Sequence, residues 1–305
     1  MAVSPGSVIV PDWHKSPEGK EYLATILRKN KRKFFGLIER PVLPPQMAAD
    51  TASYKIFVSG KSGVGKTAMV AKLAGLEVPS AHHETTGIQL TTVYWPAKLR
   101  DSGRALIFRF HFWDCGEAAL KKFDHILPVS QARGWGSCHA LLSPGELRLT
   151  KHSTWVWISA PRSLGDVQNW AGGACKEKAD GILFLFSFTD RSSFDDLPSQ
   201  ISRVTEGSET LVKIVIGSKF DQFMHADVTE RDLAEFRQAW RLPVLRMKSV
   251  NGPRLADGQT LDGRAGLAHV AHVLNGLAEH LWYQDQVMAG LVPAPQPGTE
   301  ETSLG

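Results

Sequence analysis

Several things are scarce in this chain of 305 residues, and each scarcity excludes something. Cysteine occurs only three times, at Cys115, Cys138 and Cys175. That is no disulfide framework and fits a reducing compartment, so a cytoplasmic location is expected. Long apolar runs are missing: the strongest, Ile182 to Phe188, is far too short to span a bilayer. No basic region followed by an apolar core opens the chain, so no signal peptide is expected. No cysteine stands near the final Glu301-Thr302-Ser303-Leu304-Gly305, so no prenyl anchor is expected. Charge of one sign is also lacking. A net charge of +4 does not suggest a nucleic-acid partner. What remains, 43% hydrophobic and 22% charged residues, is the composition of a soluble globular protein.

What is present is concentrated in one stretch. Gly60-Lys61-Ser62-Gly63-Val64-Gly65-Lys66-Thr67 fills the phosphate-loop pattern G-x-x-x-x-G-K-[ST] without a mismatch. Lys55 to Ser59 before it reads as a buried strand, and Thr67 to Gly75 after it as a helix. Glycines let the backbone curl so that successive N–H groups face the phosphates, and the helix N-terminus adds its positive end. Lys66 is expected to reach the β/γ-phosphates, and the Thr67 hydroxyl to ligate Mg²⁺. A nucleoside triphosphate-binding protein is the expectation.

The rest of the chain alternates strands and helices. Strands are predicted at Ile88 to Trp95, Ala105 to Trp113, Gly181 to Phe188, Leu211 to Gly217 and Leu242 to Lys248. Helices are predicted at about 118–127, along the face Phe194, Leu197, Ile201, Val204, and from Thr229 to Trp240 behind a capping box with Asp232. A further helix follows the stripe Leu267, Val270, Ala271, Leu274, Leu277, Ala278, Leu281. This order implies an α/β fold: three layers, a mostly parallel six-stranded sheet with helices on both faces. Residues 1–50 read as a basic extension, 51–288 as the nucleotide-binding domain, and 289–305 as a disordered tail. Between Lys15 and Arg40, eight basic residues face three acidic ones. That arm either docks on a partner or an acidic membrane surface, or is a helix packed on its own domain with a solvated basic face. Val129 to Ala179 breaks the rhythm, with Trp135, Trp155, Trp157 and Trp170 among scattered Gly, Ser and Pro. It suits a translated non-coding segment or an alternative exon, or else an Ω-like binding loop.

Ser218-Lys219-Phe220-Asp221 follows a buried strand at the edge where ligands bind in such folds. A carboxylate at Asp221 can accept two hydrogen bonds from the guanine N1–H and exocyclic amine, a donor pair that adenine lacks. The sequence resembles the [NT]-K-x-D motif of Ras-superfamily small GTPases, with Ser218 in first place. The order of elements over about 52–128 and 180–288 is similar to that family. Tyr54 to Thr67, His82 to Gln89, Phe112 to Glu117 and Leu261 to Leu267 are similar to its Rem- and Rab-like members in ciliary biology. The resemblance implies GTP/GDP and Mg²⁺ as cofactors, held by Gly60, Ser62, Gly63, Val64, Gly65, Lys66, Thr67, Thr85, Ser218, Lys219, Asp221 and Ser249. It implies metal ligation by Thr67 and Thr85, with Asp114 acting through water. It also implies work at the ciliary base beside the Fuzzy and Inturned proteins, in vesicle traffic and intraflagellar transport assembly. Switch II of the family reads D-x-x-G-Q, whereas Asp114-Cys115-Gly116-Glu117 is one residue short. Glu117 is the nearest stand-in for the water-orienting glutamine, so slow hydrolysis is expected. A scaffold that binds GTP without turnover, and a phosphate-loop kinase, are the alternatives.

Overall fold

The computed structural model describes residues 8–27, 47, 49–76, 78, 84–85, 87–116, 179–205, 210–248 and 263–292. In chain order the elements are α1 (Pro17–Leu27), β1 (Asp50–Gly60), α2 (Lys66–Leu73), β2 (Ile88–Lys98) and β3 (Ala105–Cys115). Then come β4 (Gly181–Ser187), α3 (Arg191–Asp195), α4 (Leu197–Thr205), β5 (Val212–Ser218), α5 (Glu230–Trp240), β6 (Val244–Arg246) and α6 (Gly263–Met288). Short 3₁₀ turns cover Trp13–Lys15 and Phe220–His225.

The six strands form one sheet in the order β2-β3-β1-β4-β5-β6. Every pairing is parallel except β2 with β3, so the fold is α/β with a mostly parallel sheet. The strands are apolar because both faces of the sheet are covered. Tyr54, Ile56 and Val58 of β1, Leu183 and Leu185 of β4, and Ile214 and Ile216 of β5 point into one core with α2 and α6. The alternate residues Phe57, Ile182, Phe184, Phe186 and Val215 point into a second core with Phe194, Leu197, Ile201, Leu233 and Phe236. From β1 the chain crosses to the edge position as β2, turns back as β3 beside β1, and then lays β4 on the other side of β1. The C-terminal end of β1 is therefore the point where strand order reverses, the usual ligand position in open α/β sheets.

Some elements differ from their sequence reading. β2 runs past Trp95 and through Pro96 to Lys98, which a proline tolerates because β2 is an edge strand. The helix face beginning at Phe194 divides into α3 and α4, with Pro198 in the first turn of α4, where its missing N–H costs no helical bond. β6 is shorter than Leu242 to Lys248. The predicted helix over 118–127 and the span 129–178 lie outside the described residues, as do 28–46 and 293–305.

Residues 8–27, set apart in the sequence as part of an extension, pack into the domain. Ile9 and Leu23 join the first core, while Trp13 and Tyr22 cover Tyr94 and Ile107. Ile9 bridges Leu99 in antiparallel fashion, so the segment extends the far end of β2's outer edge. α6 clamps it: the buried Glu279 carboxylate accepts the backbone N–H groups of Val8 (2.7 Å) and Ile9 (2.8 Å). Asn275 donates to the Pro11 carbonyl (2.6 Å) and accepts from the Trp95 indole (2.8 Å). Of the two readings of the basic arm, residues 17–27 take the packed helix. The apolar anchors Val8, Ile9 and Trp13 lie before the helical pattern begins and signal no element of their own.

Candidate functional site

Because β1, β3, β4 and β5 run parallel, their C-terminal ends share one edge of the sheet. Register aligns Val58 with Asp114, Gly60 with Leu185, and Ser187 with Ser218. Gly60 to Thr67, Asp114 and Ser218 to Asp221 lie at or just beyond these ends.

The loop 61–65 joins β1 to α2, and Gly60, Gly63 and Gly65 all have positive φ. Gly65, at φ 95°, caps the N-terminus of α2 in the left-handed region, where a side chain would be strained. Lys66 is buried. Its Nζ donates to the carbonyls of Gly60 (2.8 Å) and Lys61 (3.1 Å), so the ammonium sits inside the curl of the loop. Val64 is buried behind the loop and Ser62 lies on its exposed side.

Three oxygen-bearing side chains from separate parts of the sequence meet beside α2. The Thr67 hydroxyl lies 2.5 Å from Asp114 Oδ2 and donates to it. The Thr85 hydroxyl lies 2.9 Å from Thr67 Oγ1. Asp114 is 1% exposed, and its other oxygen, Oδ1, is buried without a hydrogen-bond partner. Burial pushes its carboxyl above the usual carboxylate range, against the Thr67 hydrogen bond and the Lys66 charge. Gly116 brings the end of β3 against this group: a Cβ there would lie 1.8 Å from the Thr85 carbonyl oxygen.

The donor set fits a small hard cation. Two hydroxyls and an orphaned carboxylate oxygen are the ligand class that Mg²⁺ prefers. Among the described residues no group of three or more His, Cys, Asp or Glu could hold a metal. A cation here would complete its shell with water and phosphate oxygens, as Mg²⁺ does beside nucleotides.

The second loop is tied to the first. Ser218 is buried, with Oγ 2.6 Å from the Val64 carbonyl and 3.0 Å from the Phe186 carbonyl. Lys219 takes a left-handed conformation at φ 56°, and the turn carrying Asp221 follows. The Phe220 N–H donates to the Met247 carbonyl (3.2 Å), while the Met247 N–H donates to Gly217 (2.8 Å). Glu117 and Ser249 lie outside the described residues. Two groups at this edge stand at no position the motifs specify. Lys61 donates to Ser192 (2.8 Å), tying the loop to α3. Lys72 reaches the Lys248 carbonyl (2.5 Å) from beneath. No local signal in the sequence marks Lys72, a lone lysine just beyond the motif.

No family model matches the chain. Among the described residues no helix is long and apolar enough to cross a membrane. The chain is 24% identical to the human GTP-binding protein REM 2 over 170 residues, 55% of this chain and 35% of that protein. It is 60% identical to human ciliogenesis and planar polarity effector 2 over 297 residues, 97% of this chain and 98% of that protein. It is 63% identical to the mouse protein of the same name over 289 residues, 95% of each chain. With identity this high over nearly the whole length of both chains, the chain belongs to the ciliogenesis and planar polarity effector 2 family.

Proposed function

We propose that the protein binds GTP and GDP with Mg²⁺ at the C-terminal edge of its sheet and acts as a switch or scaffold in ciliogenesis. The observation that carries this is the meeting of Thr67, Thr85 and Asp114 beside a phosphate-loop lysine. In that reading the loop N–H groups and Lys66 hold the β- and γ-phosphates, and a bound Mg²⁺ would neutralise phosphate charge. Asp114 acts on the cation through water. Thr85 senses the γ-phosphate, because its hydroxyl is shared with Thr67 until a cation draws both. Ser218 fixes the base loop to the phosphate loop, Lys219 lies over the base, and Asp221 selects guanine. The name of the 24% identical relative supports the nucleotide, and the names of the full-length relatives support the ciliary role.

Isothermal calorimetry with GTP, GDP and ATP tests the reading. GTP and GDP bind tightly with Mg²⁺, Lys66→Ala loses both, and Asp221→Asn shifts preference toward xanthine nucleotides. Equal affinity for ATP and GTP would return the chain to the kinase alternative.

Intrinsic hydrolysis is slow in this proposal. The sequence after Asp114 is one residue short of the family pattern, and Glu117 would place negative charge near the γ-phosphate. The same shortening favours, as a second reading, a GTP-bound scaffold without turnover. Single-turnover phosphate release from the protein alone separates the two. Rapid release abolished by Glu117→Ala would make Glu117 the water-orienting group. The Fuzzy and Inturned proteins are the proposed partners and the basal body the proposed place of work. Co-precipitation with each partner, and imaging of tagged protein against a basal-body marker, check both.

A further inference from the structure

A buried ammonium lies beneath the loops proposed to hold the base. Lys72, on the last turn of α2, is 8% exposed, and its helical neighbours Met69, Val70 and Leu73 are core residues. An apolar side chain would suit that position if only filling were needed. The Lys72 head group instead donates to the Lys248 carbonyl, 2.5 Å away. Lys248 immediately follows Met247, whose backbone is bonded to both ends of the base loop, at Gly217 and Phe220. Burial pushes the Lys72 ammonium below its ordinary range; the charge of the Asp221 carboxylate opposes that shift and the charge of Lys248 adds to it. One side chain on the phosphate-loop helix thus holds the 247–248 segment, which is bonded in turn to the base loop.

We infer that Lys72 is a positioning residue for base selection, which anchors the Lys248 carbonyl and brings its head group to the segment bonded to the loop that carries Asp221. The inference rests on the guanine-nucleotide reading above. A carboxylate that accepts two donors from guanine keeps its full negative charge, and a desolvated cation nearby offsets the cost of holding that charge away from water. Inosine nucleotides keep the N1–H but lack the exocyclic amine. They therefore draw on Asp221 less than guanosine nucleotides do.

Two substitutions separate the anchor from the charge. Lys72→Gln keeps an N–H donor for the Lys248 carbonyl and removes the charge; Lys72→Met removes both. The expected result is a fall in GDP affinity of about tenfold for Lys72→Gln and up to about a hundredfold for Lys72→Met. The affinity for inorganic tripolyphosphate, which probes the phosphate loop alone, stays the same. The preference for GDP over inosine diphosphate narrows in both variants. In an Asp221→Asn background, probed with xanthosine diphosphate, Lys72→Gln costs little, because the charge it served is gone. Equal losses in both backgrounds would show a lysine that merely supports the fold, and would overturn the inference. If Lys72→Met does not fold, the Lys72→Gln pair still decides. Wild-type protein that does not prefer GDP to ADP would bring down the guanine reading itself. Wild-type protein that does, with variants equal to it, would bring down only the role of Lys72.

Discussion

Asp114 is the residue whose burial makes least sense for stability alone. It is almost inaccessible, one oxygen has no partner, and its environment favours the uncharged form. Asp114→Asn therefore leaves the melting temperature of the nucleotide-free protein unchanged or raises it, by up to about 1–2 kcal/mol of stability. The same change abolishes the extra stabilisation by GTP with Mg²⁺, which is about 2.7 kcal/mol at a hundred times Kd. A lowered melting temperature without nucleotide would mean that the carboxylate holds the fold together. Gly116 makes a sharper case. A methyl group there collides with the Thr85 carbonyl, so Gly116→Ala pushes the Thr85 segment away from Thr67. The expected loss is in Mg²⁺-dependent GTP affinity, about tenfold or more, with GDP affected less. Calorimetry with both nucleotides reads this directly.

At the scale of elements, α5 and α6 show how side chains hold helices to the sheet. The capping box at Thr229 is reciprocal: Asp232 N–H donates to Thr229 Oγ1, and Thr229 N–H donates to Asp232 Oδ2. These bonds, led by the Thr229 hydroxyl and joined by Arg191, push the Asp232 carboxyl down to about 2. A depressed carboxyl contributes stability that is present above its unfolded value of 3.8 and is lost as pH falls through about 2. Thr229→Ala costs about 0.5–2 kcal/mol at neutral pH, and its difference from wild type shrinks between pH 4 and pH 2. Urea titrations across that range check the sign. On α6, the Tyr54 hydroxyl donates to Asp285 at 2.5 Å. Tyr54→Phe costs about 1.5–3 kcal/mol in the same assay and leaves nucleotide affinity intact, since Tyr54 lies in the half of β1 away from the loop.

These elements also show where sequence reading succeeds. The capping box and the α6 stripe were legible because their determinants are local: four residues in one case, a 3.6-residue period in the other. The meeting of Thr67, Thr85 and Asp114 was legible only through the motif order, for no local property of Thr85 marks it. Pro96 misled the β2 boundary because edge position is set by the whole sheet. Lys72, Glu279 and the Val8–Trp13 strap were illegible for the same reason. Their partners lie up to 271 positions away, and a lone lysine or glutamate inside an apolar stripe carries no periodic signal.

For the molecule as a whole, the N-terminal strap is the long-range tie. Glu279→Ala removes the acceptor for two buried N–H groups, each bond to a charged acceptor contributing about 1.5–3 kcal/mol. Hydrogen exchange at Val8 and Ile9 should accelerate, and the melting temperature should fall, with Arg100, whose N–H donates to the Val8 carbonyl, exchanging faster. Deleting residues 1–12 should likewise lower the melting temperature and speed exchange at Arg100, and it leaves the Glu279 carboxylate buried without those donors. Unchanged exchange at Arg100 in either variant would show that the strap is a passenger. Its geometry also sets a schedule for synthesis. The ribosome makes Ile9 some 270 residues before Glu279. At roughly 5–20 residues per second, the earliest part of the chain waits many seconds for its acceptor. Until then the outer edge of β2 is open to other strands. A nascent chain halted before α6 should be far more prone to capture by chaperones than one halted just after it.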